Sequence, residues 1–171
     1  MLADAGLVVL RGVTGLLFVG HGLQKLAGWF GGHGLAGTGR WMESVGLRPG
    51  RLWAAVAGAA ETLGGLLLAL GAATPVAGAL LTAVMATAIV RVHWDHGLWV
   101  QAGGAEHALV NMAVAMALAL TGAGRCSVDA VWGLSLPAVP LVLAGLAAGL
   151  VVGVGTPVAT RALRPAAGQA A

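Results

Sequence analysis

Five long apolar stretches, at 5–27, 52–71, 76–94, 105–122 and 134–155, take up most of this chain and leave little else to build from. Each is close to the roughly 17–25 residues that an α-helix needs to cross the hydrocarbon of a bilayer. A backbone in lipid must satisfy its own hydrogen bonds, so only helices or a closed barrel can span. Barrel strands alternate in polarity over about ten residues, whereas these runs are continuous and rich in Leu and Ala. They predict an all-α integral membrane protein. Composition agrees: 58% of residues are hydrophobic and only 9% charged, against about 25% charged in soluble domains. The mean hydropathy of +0.91 points the same way.

The separators fit that division. Gly71-Ala72-Ala73-Thr74-Pro75 predicts a tight turn, with Pro75 near the start of the third helix, where proline is tolerated. The glycine-rich connection at 28–51 predicts either a short interfacial helix around 40–45, ended by Gly46, or a segment folded back against the bundle. Both readings stay open. Pro137 and Pro140 fall in or near the first turn of the fifth stretch, and 157–171 reads as a disordered tail. The N-terminus has Asp4, no basic flank, and Arg11 inside its apolar run. No cleavable signal is expected, and the first stretch should remain as a span.

Alternating spans would place Lys25, Arg40, Arg48, Arg51, Arg91, Arg161 and Arg164 on one side, and Arg125 on the other with Arg11 buried near it. Cytoplasmic loops carry the excess of Lys and Arg. The expected topology is thus N-terminus outside and C-terminus cytoplasmic. Trp29, Trp41, Trp53, Trp94, Trp99 and Trp132 all fall at or just beyond span ends, as indole rings at the headgroup level would. The sequence pI near 10.5 reflects this topology rather than a nucleic-acid partner, because no run of basic residues occurs.

A charge near the bilayer centre costs about 2.5–3.5 kcal/mol on insertion scales, so ionisable groups there need a partner or a role. Arg11, Thr14, Phe18, His21 and Lys25 recur in steps of three and four, which puts them on one helix face toward the bundle. Glu61 lies deep in the second stretch beside Gly58, Gly64 and Gly65, small residues that let helices approach. Depth counting suggests an Arg11–Glu61 ion pair, serving either as a lock between helices or to hold a proton-handling carboxylate. A second group gathers at the cytoplasmic ends: His21, Lys25, Arg91, His93, Glu106, His107 and Asn111. These read as snorkelling caps or as a polar pocket for a quinone-like headgroup. A metal site is not expected, since no HxxxH or HExxH spacing occurs. The lone Cys126 excludes an internal disulfide. No flavin, haem or iron–sulfur ligand pattern is present, so redox chemistry would need a quinone or a partner's cofactor.

The segments HGLQK at 21–25, ETLGGLLLALG at 61–71 and GGAE at 103–106, within the longer stretches around them, are similar to the DoxX family of small bacterial membrane proteins. The resemblance covers roughly 7–130. It implies a four-helix membrane bundle over 1–130; the fifth apolar stretch lies beyond it and predicts an additional span at 131–156. The motif positions fall on Arg11, His21, Gly22, Lys25, Glu61, Gly64, Gly65, His93, Gly103, Gly104 and Glu106. Relatives include a membrane subunit of a thiosulfate:quinone oxidoreductase and components of oxidative-stress complexes. The expectation is an inner-membrane subunit of a redox system with a protein partner or a homo-oligomer, in which Glu61 and His21 handle protons. The alternative is a non-enzymatic assembly factor or scaffold.

Overall fold

Two glycine pairs bring two of the long helices into backbone contact. A Cβ on Gly15 would lie 2.5 Å from the Gly65 carbonyl, and one on Gly22 would lie 2.6 Å from the Gly58 carbonyl. Helix α1 (Leu2–Leu26) and helix α3 (Gly50–Leu70) therefore run antiparallel with backbones in contact. In lipid no hydrophobic drive brings helices together, so such close van der Waals packing is what holds them. The face predicted on α1 turns inward at Arg11, Thr14 and Phe18, which are buried, whereas Lys25 is half-buried and His21 exposed. The computed structural model describes residues 1–162, with side chains through Gly155.

Between α1 and α3 the chain forms a short 3₁₀ turn (Trp29–Gly31) and helix α2 (Gly34–Ser44), which packs on α3. Gly39 and Gly50 meet there, since a Cβ on Gly50 would sit 2.0 Å from the Gly39 carbonyl. The connection is thus both helical and folded back, which joins the two readings the sequence left open. Gly71 ends α3 in the left-handed conformation (φ 64°), a geometry that costs glycine nothing. Helix α4 (Thr74–Ala88) follows, widens into a π-helical turn at Ile89–His93, and closes with a 3₁₀ turn (Trp94–His96).

After a third 3₁₀ turn (Val100–Ala102) come α5 (Glu106–Thr121), the short α6 (Val128–Trp132) and α7 (Ala138–Ala162). Helix α7 packs chiefly on α4 through Gly145 and Gly149, whose added Cβ atoms would meet the Ala79 and Ala83 carbonyls at 2.3 and 2.4 Å. The buried core runs through Phe18, Leu68, Ala77, Leu81, Met85, Ala115 and Leu118. Most of the remaining surface is apolar, as for helices facing lipid.

Among the described residues four helices are long and apolar enough to cross a membrane, at Leu2–Leu26, Gly50–Leu70, Thr74–His96 and Ala138–Gly155. The expected fourth span, α5, is shorter at 16 residues, which is about 24 Å of helix. Of the tail expected at 157–171, the helix continues to Ala162 and 163–171 lies outside the described residues.

Candidate functional site

The Arg11–Glu61 pair does not form. Glu61 is 3% exposed and pairs instead with Lys25, whose Nζ donates to Oε2 at 2.5 Å. The reason lies in register and in side-chain direction. The glycine contacts align residue 15 with 65 and 22 with 58, so Glu61 is level with residue 19 of α1. Arg11 lies eight residues away, about 12 Å along the axis. Helix side chains also lean toward their own N-terminus. Lys25 leans up α1 toward Glu61, Glu61 leans down α3 toward Lys25, and Arg11 leans away from both.

Arg11 is spent at the opposite end of the bundle. Its Nη1 donates to the Ala123 carbonyl at 2.9 Å, and its Nη2 donates to the Cys126 carbonyl. The guanidinium packs on Gly71, where a Cβ would come within 2.0 Å of Nη1. Beside it Asp129 accepts from the amides of Ala73 and Thr74 at 2.6 and 2.9 Å and from the Thr74 hydroxyl at 2.6 Å. It thereby satisfies orphan amides at the start of α4, as capping carboxylates do. Asp4 accepts from the Arg125 amide at 3.0 Å. This end ties α1, α3, α4 and α6 together. Nothing in the sequence pattern marked Asp129 as the cap of a helix that begins more than fifty residues earlier.

The other end opens into a cavity of about 540 Å³. It gathers His21 and Lys25 from α1, Glu61 from α3, Arg91 and His93 from the π-helical turn, and His107 and Asn111 from α5. Seven of the residues singled out in the sequence thus line one space: His21, Lys25, Glu61, Arg91, His93, His107 and Asn111. Arg11 and Glu106 do not. Glu106 accepts from the Val100 amide at 3.0 Å and shapes the loop before α5. Trp41 and Met42 of α2 also line the cavity. Sequence reasoning passed over both because the position of α2 was undecided.

Hydrogen bonds orient several of these groups. His93 Nδ1 donates to the Gly103 carbonyl at 2.7 Å, which fixes the orientation of the ring. His21 Nδ1 and Gln24 Oε1 lie 3.2 Å apart, and Gln24 Nε2 donates to the Phe30 carbonyl at 3.2 Å. Arg91 Nη1 donates to the Val45 carbonyl at 3.4 Å, holding the end of α2 over the cavity. The rest of the wall is apolar, including Phe18, Val84, Met85 and Ala108. A volume of this size falls in the roughly 300–1,000 Å³ range of small-molecule sites, which are mostly apolar with a few placed polar groups. Among the described residues no group of three His, Cys, Asp or Glu side chains converges as metal ligands would.

Membrane-length helices packed around an inward polar cavity define a small multi-pass α-helical membrane protein, in contact with lipid along its outer faces. The chain belongs to the DoxX family, whose model matches residues 6–94. It is also similar to a Bacillus subtilis (strain 168) protein named "Putative oxidoreductase CatD", at 32% identity over 126 residues, which is 74% of this chain and 86% of that one. No solved structure matches it.

Proposed function

We propose that this chain is an inner-membrane subunit of a redox system and that its cavity receives the ring of a quinone. The observation that carries the reading is the convergence of His21, Lys25, Glu61, Arg91, His93, His107 and Asn111, from four different helices, on one space whose remaining wall is mostly apolar. The name of the Bacillus subtilis relative lends support of the same kind. A quinone, when bound, supplies paired electron and proton transfer. The residues fit it: Lys25, His107 and Asn111 carry donors for ring oxygens, while Phe18 and Met85 offer apolar contact to the ring. Lys25 donates to Glu61 in a buried place. Glu61 and His21 then pass protons between the cavity and the adjoining aqueous side. In this reading the cavity end, flanked by Lys25, Arg40, Arg48, Arg51 and Arg91, faces the cytoplasm, with the N-terminus outside. Electrons come from a partner protein.

The test is Glu61→Gln in native membranes, with quinone-linked turnover and co-purifying proteins measured together. The proposal expects turnover to fall by at least about tenfold, in the range that general acid–base groups contribute, while the chain stays folded and keeps its partner. Undiminished turnover rejects the proton-handling role. A lost partner with an intact fold favours the non-enzymatic assembly factor.

A further inference from the structure

The cavity does not end among its polar side chains. Helices α1 and α5 supply titratable groups, whereas α7 supplies Ala148, Gly149 and Val152, and the facing part of α3 supplies Val56 and Ala60. Between them lies α4, with Ala83 and Thr87 on the cavity wall. The Thr87 hydroxyl is already committed, contacting the Ala83 carbonyl at 2.9 Å and the Gly149 carbonyl at 3.1 Å. This arm is therefore apolar throughout. Val56 lines it and is also 48% exposed, and Ala148 lines it and is likewise exposed. Both residues lie on helices of membrane-spanning length, and so on surfaces that can face hydrocarbon. Its cavity end is closed by α2, because Val152 packs against the cluster of Met42, Leu47 and Ala54.

The geometry points to this arm as the seat of the isoprenoid chain of the quinone, which enters laterally from the bilayer between α3 and α7. The inference rests on the quinone reading above and adds a substrate class to it: a tailed, lipid-dissolved quinone rather than a water-borne ring. It also gives α7 a function, since that helix lies beyond the segment that the family match covers. A phospholipid is the less suitable occupant. Its phosphate at the polar end would face Glu61, whose charge Lys25 already balances one for one. An uncharged ring brings no such conflict.

The experiment uses the full chain in phosphatidylcholine nanodiscs and two probes, a decyl-substituted benzoquinone and the same ring bearing only methyl groups. Binding is read by quenching of tryptophan fluorescence, because Trp41 and Trp53 line the cavity. Ala148→Phe fills the arm from α7 and Val56→Phe fills it from α3, so either serves if the other fails to fold. Displacing about two methylene groups of the tail should weaken the decyl probe by roughly tenfold while the methyl probe stays within about twofold. Equal losses for both probes, or no loss for either, overturn the inference. Failure of the methyl probe to bind the parent chain overturns the quinone reading itself, and this inference with it. Native mass spectrometry supplies the last arm. If the variants shed a retained phospholipid while decyl-probe affinity is unchanged, the arm holds an acyl chain and the inference is wrong.

Discussion

Replacing Lys25 by Met tests the intramembrane ion pair most directly. The two charges are 2.5 Å apart, with Glu61 3% exposed and Lys25 23% exposed. At an effective dielectric near 20 their attraction is about 6–7 kcal/mol before desolvation is counted. Without the ammonium, Glu61 can stay charged and lose that attraction, or it can take up a proton. In the unfolded chain a Glu carboxyl has its ordinary value near 4.3, so folding with it protonated costs about 3.7 kcal/mol at pH 7 and about 1 kcal/mol at pH 5. The cheaper route wins, so Lys25→Met should destabilise the fold by about 3–4 kcal/mol at pH 7 and by only about 1 kcal/mol at pH 5. The sign follows from the carboxyl: acid supplies the proton that replaces the lost ammonium. Pairing Lys25→Met with Glu61→Leu removes both charges and should recover stability to within about 1 kcal/mol of the parent. Unfolding in dodecyl maltoside micelles titrated with sodium dodecyl sulfate, followed by far-UV circular dichroism at both pH values, gives all three numbers. A penalty that does not shrink at pH 5, or a double variant no better than the single one, would refute the reasoning.

Three further outcomes are expected. Gly65→Leu drives a side chain into the backbone of α1, where a Cβ already comes within 2.5 Å of the Gly15 carbonyl and 2.8 Å of the Val19 amide; it should cost at least about 1–3 kcal/mol, read as a lowered Tm in micelles. Asp129→Ala removes the acceptor for the first amides of α4 and should cost about 1–2 kcal/mol in the same assay, with Asp129→Asn retaining most of the stability. Arg11→Met strands the Ala123 and Cys126 carbonyls and should lower stability by about 1–3 kcal/mol, yet leave methyl-benzoquinone affinity within about twofold, because Arg11 lies outside the cavity.

Span-length hydrophobicity revealed the membrane class and the course of the long helices, because lipid imposes a length and forbids charge. The inward face of α1 was legible from its three-and-four spacing. Most of the cavity was legible too, since buried ionisable groups in a bilayer are conspicuous. The partner of Glu61 was not. Depth counting treats a helix as a rod and ignores both the offset that Gly15–Gly65 and Gly22–Gly58 impose and the lean of each side chain. Asp129 was hidden for another reason: a cap supplied by one helix to another far away in sequence leaves no local spacing to detect. The position of α2 depended on Gly39 meeting Gly50, a contact between surfaces rather than a pattern along the chain.

The wide turn at Ile89–His93 gives α4 two phases within one span. Ahead of it, Ala79 and Ala83 lie against the glycines of α7; within it, Arg91 reaches the end of α2 and His93 reaches the Gly103 carbonyl. An unbroken α-helix keeps a single phase, so it could meet the first requirement only by turning the later residues elsewhere. Deleting one residue between 89 and 93 would restore that single phase and swing everything after it by about 100°. The helix would still be long enough to span, but its imidazole and guanidinium would be carried off the cavity rim.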